Sequence, residues 1–343
     1  MINEHIEHTN VKIGVGKDDV VRLCDEALKN NFRSVVVPPY HVKLAKSLIN
    51  THSKCVSVID FPIGNSTALG KILQAKEAVA DGADEIDIPM NVSAFRSGDY
   101  DVVAKDIKEV VLASHRPVKV IIEASTLTSE EVKLACNIVM STGATYVKSH
   151  TGFAGKVKKE DIILMKEAVQ GKLKVKASGG IKTFEDAMSM FDAGADLVGT
   201  SDSLNVIKDA KPITYLSGVI YGAPQDEVAQ WRKDMIKKLE GKVFCLDPMR
   251  KPYETMPDKY KEYGREIVEQ DKLDIDISDF LVVKWDRPSV GTSMEILYAW
   301  QQKKPVYVWT NKTRASPWLG YHSTKFFENE TDLLNYVQER HCK

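Results

Sequence analysis

The sequence predicts an α/β protein: a (β/α)8 TIM barrel followed by a smaller, Rossmann-like α/β sandwich domain. Three observations carry the prediction. The 343 residues exceed what one compact core usually organises. Up to about residue 205, short β-branched runs recur roughly every 20 to 30 residues, with helical patterns between them. Around residues 206–212 the segment "IKDAKP" breaks that rhythm before a fresh strand begins, which sets domains at 1–208 and 212–343.

The eight runs of the first domain are, in order, "IEHTNV", "SVVVPP", "CVSVIDFP", "EIDIPMNV", "VKVIIEAS", "TYVKSH", "VKASGG" and "LVGTSDS". Segments such as "TALGKILQAKEAVADGA" lie between them and place apolar residues at helical spacing. Parallel strands joined by crossover helices fit a closed barrel, with an open doubly wound sheet as the alternative. Polar residues gather at the C-terminal ends of the runs, where a barrel carries its active site. Side-chain alternation then assigns faces: with Ile86 and Ile88 toward the helices, Asp87 points into the barrel. By the same parity Lys148 and Lys176 point inward. The second domain reads as a strand ending at Gly218, a helix through "EVAQWRKDMIKKLE", the strand "KVFCLDP" and a helical segment to about Leu273. The strand "FLVVKWD", a helix near "GTSMEILYAWQQ" and the strand "PVYVW" follow.

Composition narrows the function classes. The 47 basic residues nearly cancel 48 acidic ones, so no nucleic-acid partner is implied. No stretch approaches the roughly 18 apolar residues of a membrane span, and "MINEHIEHTN" has no leader-like apolar run, so a cytoplasmic protein without a membrane partner is expected. Five cysteines, odd in number and far apart, form no CxxC or Cys/His cluster. They read as reduced thiols, and neither a metal nor a cofactor is expected.

A protonated lysine is a poor nucleophile, so Schiff-base chemistry needs desolvation or a second cation to favour the free amine. Lys148 and Lys176 close consecutive strands, about 4.8 Å apart in a sheet, and their repulsion would lower at least one pKa. The alternative is that each lysine reaches solvent or pairs with Asp87 or Glu123.

Taken together, "VKSHTGFAG", "VKASGGIKT", "EIDIPMN" and "LVGTSDS" resemble the class I 2-deoxyribose-5-phosphate aldolases over about residues 5–205, with "VIDFPIGNS" and "VIIEAS" adding to the match. The resemblance implies Lys148 as Schiff-base lysine, Lys176 as the partner that lowers its pKa, and Asp87 as proton-relay carboxylate. It implies a sugar-phosphate substrate, bound by backbone amides of Gly179 and Gly180 after the seventh strand and by Gly199, Thr200 and Ser201 after the eighth. Thr151 and Gly152 would shape the phosphate-side loop, where Phe153 offers no charge. These glycines can also be read as turn formers. Two departures stand out: Asp202 stands where relatives commonly carry a small hydroxyl residue, and a carboxylate there would repel phosphate unless it turns outward; and a further domain follows where many relatives end in a tyrosine that helps proton transfer.

In the second domain, "YLSGVIYG" and "EQDKLDIDISDFLVVKWDRPSVGTSMEILYA" resemble the nucleoside 2-deoxyribosyltransferase and 2'-deoxynucleoside 5'-phosphate N-hydrolase superfamily, over about residues 212–312. That resemblance implies Glu295 of "SVGTSME" as nucleophile, Asp271 of "EQD" as the carboxylate serving the base, and Tyr215 near the nucleophile. Gly218 and Gly291 would border the nucleoside or nucleotide substrate, and Ser289 would accommodate a 5'-phosphate. Tyr221, where the hydrolases often carry a basic residue, and Asp286, a candidate transferase acid, leave nucleoside and nucleotide both open. Glu295 can also be read as a first-turn acid favoured by the helix dipole, in a domain that only binds nucleotide or drives assembly. Both families imply a homo-oligomer. Fusion implies consecutive steps, since deoxynucleotide hydrolysis releases the sugar phosphate that the barrel would cleave.

Overall fold

The computed structural model describes residues 1–49, 51–250, 259–310 and 316–342. The chain folds as two compact units, Asn3–Asp209 and Ala210–Lys343, the latter including Met1–Ile2.

In the first unit, strands β1 (Ile6–Thr9), β2 (Ser34–Val37), β3 (Lys54–Val58), β4 (Glu85–Pro89), β5 (Val118–Ile121), β6 (Tyr146–Lys148), β7 (Lys174–Ser178) and β8 (Leu197–Thr200) form a closed parallel barrel. Pairing of Glu7 with Gly199 closes the sheet between β1 and β8 and rules out the open-sheet alternative. The helices are α1 (Lys17–Asn30), α2 (Val42–Leu48), α3 (Ala68–Ala80), α4 (Val92–Arg96), α5 (Tyr100–Ser114), α6 (Ser129–Met140), α7 (Lys159–Val169), α8 (Phe184–Asp192) and α9 (Ser203–Lys208). Local chemistry fixes their starts: Thr67 caps α3, and reciprocal capping boxes join Thr128 to Glu131 on α6 and Thr183 to Asp186 on α8.

Each strand alternates between two buried environments, so the runs read as nearly continuous β-branched stretches. Side chains such as Ile86 and Ile88 are fully buried on the helix side. The other parity faces the interior, which is divided: Val36, Val56 and Val58 make an apolar wall with Val11 and Phe61, while charged side chains fill the side formed by β1 and β4 to β7.

The second unit is a five-stranded parallel sheet in the order β10-β9-β11-β12-β13, made of β9 (Ile213–Gly218), β10 (Phe244–Leu246), β11 (Phe280–Lys284), β12 (Val306–Trp309) and β13 (Lys325–Phe327). Its helices are α10 (Gln225–Leu239), α11 (Lys259–Ile277), α12 (Val290–Gln301), α13 (Pro317–His322) and α14 (Glu330–His341). Part of the helical segment expected before Leu273, residues 251–258, lies outside the described residues. Trp231, Met235 and Leu239 of α10 join Leu333 and Val337 of α14 over Leu216, Phe280, Val282 and Tyr307 on one sheet face. Tyr215 and Ser217, of opposite parity, meet α12 on the other. The sequence reading ended at β12, and β13 adds a short edge strand paired to it. Among the described residues no helix is long and apolar enough to cross a membrane.

Candidate active site

Three lysines converge on one carboxylate inside the barrel. The Lys148 ammonium donates to Asp87 Oδ2 at 2.9 Å, Lys176 donates to the same oxygen at 2.7 Å, and Lys119 donates to Asp87 Oδ1 at 3.0 Å. Strand register produces this meeting: Asp87 pairs with Lys119 across β4 and β5, and Lys148 pairs with Lys176 across β6 and β7. Beneath them Lys119 also pairs with Glu85 at 2.6 Å and Glu7 at 3.3 Å, Lys176 pairs with Glu7, and Arg33 bridges Glu7 and Glu85. Lys119, Glu7 and Glu85 are fully buried site residues that the sequence reading overlooked. For Glu7 and Lys119, parity within the strand was the signal.

Carboxylate contacts rank the amines. Lys119 touches three carboxylates, Lys176 two and Lys148 one. Lys119 is accordingly held above its ordinary pKa, because Asp87, Glu7 and Glu85 together overcome the effect of burial. Lys148 goes the other way: its pKa falls to about 8, chiefly through burial, with Lys176 lowering it further and Asp87 opposing. Desolvation thus outweighs repulsion between the two lysines. Burial raises Asp87 less than the three lysines lower it, so its carboxyl stays well below the usual range.

Glu7, Glu85 and Asp87 face Arg33, Lys119, Lys176 and Lys148, and the half-exposed Lys54 adds a contact to Glu85 at 2.6 Å, so cations outnumber carboxylates and the cluster favours the loss of one ammonium proton.

Lys148 lines a cavity of about 280 Å³ that also borders Val58, Phe61 and Phe153. Thr151, Gly152, Gly179, Gly180, Gly199, Thr200 and Ser201 all line it. Gly179, Gly180 and Gly199 are needed for space, Gly180 because a side chain would sit 2.7 Å from Lys156 Cγ. Gly179 has φ +99°, and a side chain there would sit 2.9 Å from His150 Cβ; one on Gly199 would meet Lys176 Cε at 2.8 Å. Thr200 stitches the loops after β7 and β8 together, donating its hydroxyl to the Ile181 carbonyl at 2.6 Å and accepting from the Asp202 amide at 2.9 Å. Thr151 donates its hydroxyl to Glu123 at 2.7 Å and accepts from the Phe153 amide at 3.1 Å. Glu123, considered above as a lysine partner, thus braces this loop instead. Asp202 lines the cavity together with Gly179, Gly180, Gly199, Thr200 and Ser201, so its chain position does not remove it from the site.

In the second unit, Tyr215 donates to Glu295 Oε1 at 3.1 Å and the Ser217 hydroxyl contacts Oε2. Glu295 stands where β9 and β11 diverge to opposite sides of the strand order, the switch point at which open parallel sheets bind ligands. Burial raises its pKa, against the two hydroxyls and Arg232. Burial also holds the Tyr215 phenol well above its usual value, with Asp271 and Glu295 adding to the effect, which places Asp271 in the electrostatic reach of the pair. Ser289 caps α12 by accepting from the Thr292 amide, and Gly291 lies open in its first turn. Gly218 has a packing role, for a side chain there would meet Trp231 Cζ2 at 2.8 Å. Its carbonyl accepts from the fully buried Arg232 at 2.9 Å. Among the described residues, no group of three or more His, Cys, Asp or Glu side chains is placed to hold a metal ion.

Comparison with known proteins finds likeness over the barrel. A deoxyribose-phosphate aldolase of Thermococcus gammatolerans is 43% identical over 217 residues, covering 61% of this chain and 96% of the relative. A solved structure described as QR15, an aldolase, is 38% identical with a TM-score of 0.59, over 60% of this chain and 94% of that one. The tetrameric deoxyribose phosphate aldolase of Aeropyrum pernix is 29% identical with a TM-score of 0.56, over 61% of this chain and 90% of that one. The model of the DeoC/LacD family aldolases matches residues 4–223, and the chain belongs to that family.

Proposed function

We propose that the barrel is a class I deoxyribose-phosphate aldolase, cleaving 2-deoxyribose 5-phosphate to glyceraldehyde 3-phosphate and acetaldehyde. The observation that carries this reading is the cavity-lining Lys148 with a pKa of about 8. At pH 7.5 roughly one such amine in four is neutral, against about one in a thousand for a lysine in water. Lys148 attacks the aldehyde of the open-chain sugar, and loss of water gives an iminium. Water held by Asp87 and Lys176 removes the C3 hydroxyl proton, the C2–C3 bond breaks, and its electrons pass into the iminium to form an enamine. Protonation of the enamine and hydrolysis release acetaldehyde and restore the amine. Amides around Gly179, Gly180, Gly199 and Ser201 hold the phosphate. Borohydride reduction in the presence of deoxyribose 5-phosphate should tag Lys148, and a tag on another residue would overturn the assignment.

We further propose that the second unit is a Rossmann-like domain that breaks or transfers the N-glycosidic bond of a deoxynucleotide or deoxynucleoside. The support is Glu295, a carboxylate held by Tyr215 and Ser217 at the switch point. In this reading Glu295 attacks the anomeric carbon while Asp271 manages the proton of the departing base. Incubation with each deoxynucleoside monophosphate and matching nucleoside distinguishes hydrolysis from transfer. Binding without base release or exchange would instead make the unit a regulatory or oligomerisation module. A homo-oligomer is the assembly proposed here, checked by light scattering.

A further inference from the structure

Three charged side chains on the barrel cavity have no part in the lysine chemistry: Lys12, Lys182 and Asp202. Strand order explains their grouping. β8 pairs with β7 on one side and β1 on the other. Asp202, on the turn after β8, therefore stands between the loop after β7, which carries Lys182, and the loop after β1, which carries Lys12. The Asp202 backbone is tied by its amide to Thr200, and Asp202 Oδ2 accepts from the Ser201 hydroxyl at 3.3 Å. Its negative charge is thus anchored among the loop residues assigned to phosphate, while both lysines are exposed on long stems that can reach a ligand.

We propose that Lys12 is a specificity-determining residue for phosphorylated substrates, its ammonium offsetting Asp202 so that the cavity accepts a phosphate monoester. This rests on the aldolase reading above. With Lys12 and Lys182 present, the trio carries a net positive charge toward the dianion; without Lys12, Asp202 and Lys182 cancel. Lys12 comes from a loop on the far side of β8 from the lysine-bearing β7 loop, so the two cations approach a phosphate from opposite flanks.

The test measures kcat/KM of the full chain for 2-deoxyribose 5-phosphate and for unphosphorylated 2-deoxyribose, in wild type, Lys12→Gln, Asp202→Asn and the double variant. Lys12→Gln is expected to lower the phosphorylated-to-unphosphorylated ratio about tenfold, the scale of one charge-assisted contact. Asp202→Asn should raise the ratio, and the double variant should return it toward wild type. Added salt should lower the ratio more in wild type than in Lys12→Gln. An equal loss on both sugars, or an unchanged ratio, would overturn the role of Lys12. Failure of the aldolase reading looks different: neither sugar would leave a borohydride adduct on Lys148 in wild type, and both proposals would then fall.

Discussion

Replacing Asp87 with Asn removes the one charge on which three ammonium groups meet, at 2.7, 2.9 and 3.0 Å. Lys148 responds because Asp87 is its single carboxylate contact and the main influence raising its pKa against burial. Loss of an opposite charge in contact moves a group by about 1–3 pH units, so the Lys148 titration is expected to fall from about 8 to about 6. At pH 7.5 the neutral fraction then rises from about one quarter to more than nine-tenths. On the aldolase reading, the amine becomes more available while the reaction is expected to slow, since general acid–base catalysis contributes roughly 10²–10⁴-fold and the proposed proton-relay carboxylate is gone. Breaking the buried cluster also costs about 3–5 kcal/mol, a large part of the typical 5–15 kcal/mol of a folded domain. The assay is the rate of borohydride trapping against pH, measured below the melting temperature of the variant. An acid limb that stays at pH 8 or moves upward in Asp87→Asn would refute the argument that Asp87 raises Lys148.

Gly199→Ala should lower kcat and cost about 1–3 kcal/mol in thermal unfolding, because its methyl group would stand 2.8 Å from Lys176 Cε; wild-type kcat would show that Lys176 has room to spare. Glu295→Gln should reduce base release or exchange by about 10³-fold or more, with the aldolase rate of the same sample as internal control. The rate carried by Glu295 should fall on acidification with a midpoint above its ordinary 4.5, since burial raises the pKa of the carboxyl that must be ionised; a midpoint at or below that value argues against the burial effect. Glu7, Glu85 and Asp87 are all depressed in the folded barrel, so their stabilising contribution is complete above the unfolded carboxyl range and is lost as pH falls below about 4. Melting temperatures followed by circular dichroism from pH 7 to 3 should drop over that window, and a flat profile would contradict the assignment.

The barrel strands were legible because burial on both faces writes them as dense β-branched runs, and alternation sufficed to turn Asp87, Lys148 and Lys176 inward. The same rule applied to "IEHT" and "VKVI" points Glu7 and Lys119 inward as well, but attention to strand ends passed over charges in mid-strand. Glu85 and Arg33 were harder to foresee, since their meeting depends on which strands become neighbours after closure. Asp202 could not be oriented from sequence because loop residues have no fixed alternation. The edge strand Lys325–Phe327 is too short for a periodic signal, and only its pairing with β12 defines it.

The ranking of the three lysines by carboxylate contacts depends on the first strand, which carries Glu7, as much as on the strands that carry the lysines. With Glu7 neutralised, Lys176 would retain a single carboxylate, the same Asp87 that serves Lys148. On the aldolase reading proposed above, Glu7 thus keeps the second buried lysine doubly paired and leaves Lys148, which lines the cavity, as the one of the three with a single carboxylate contact.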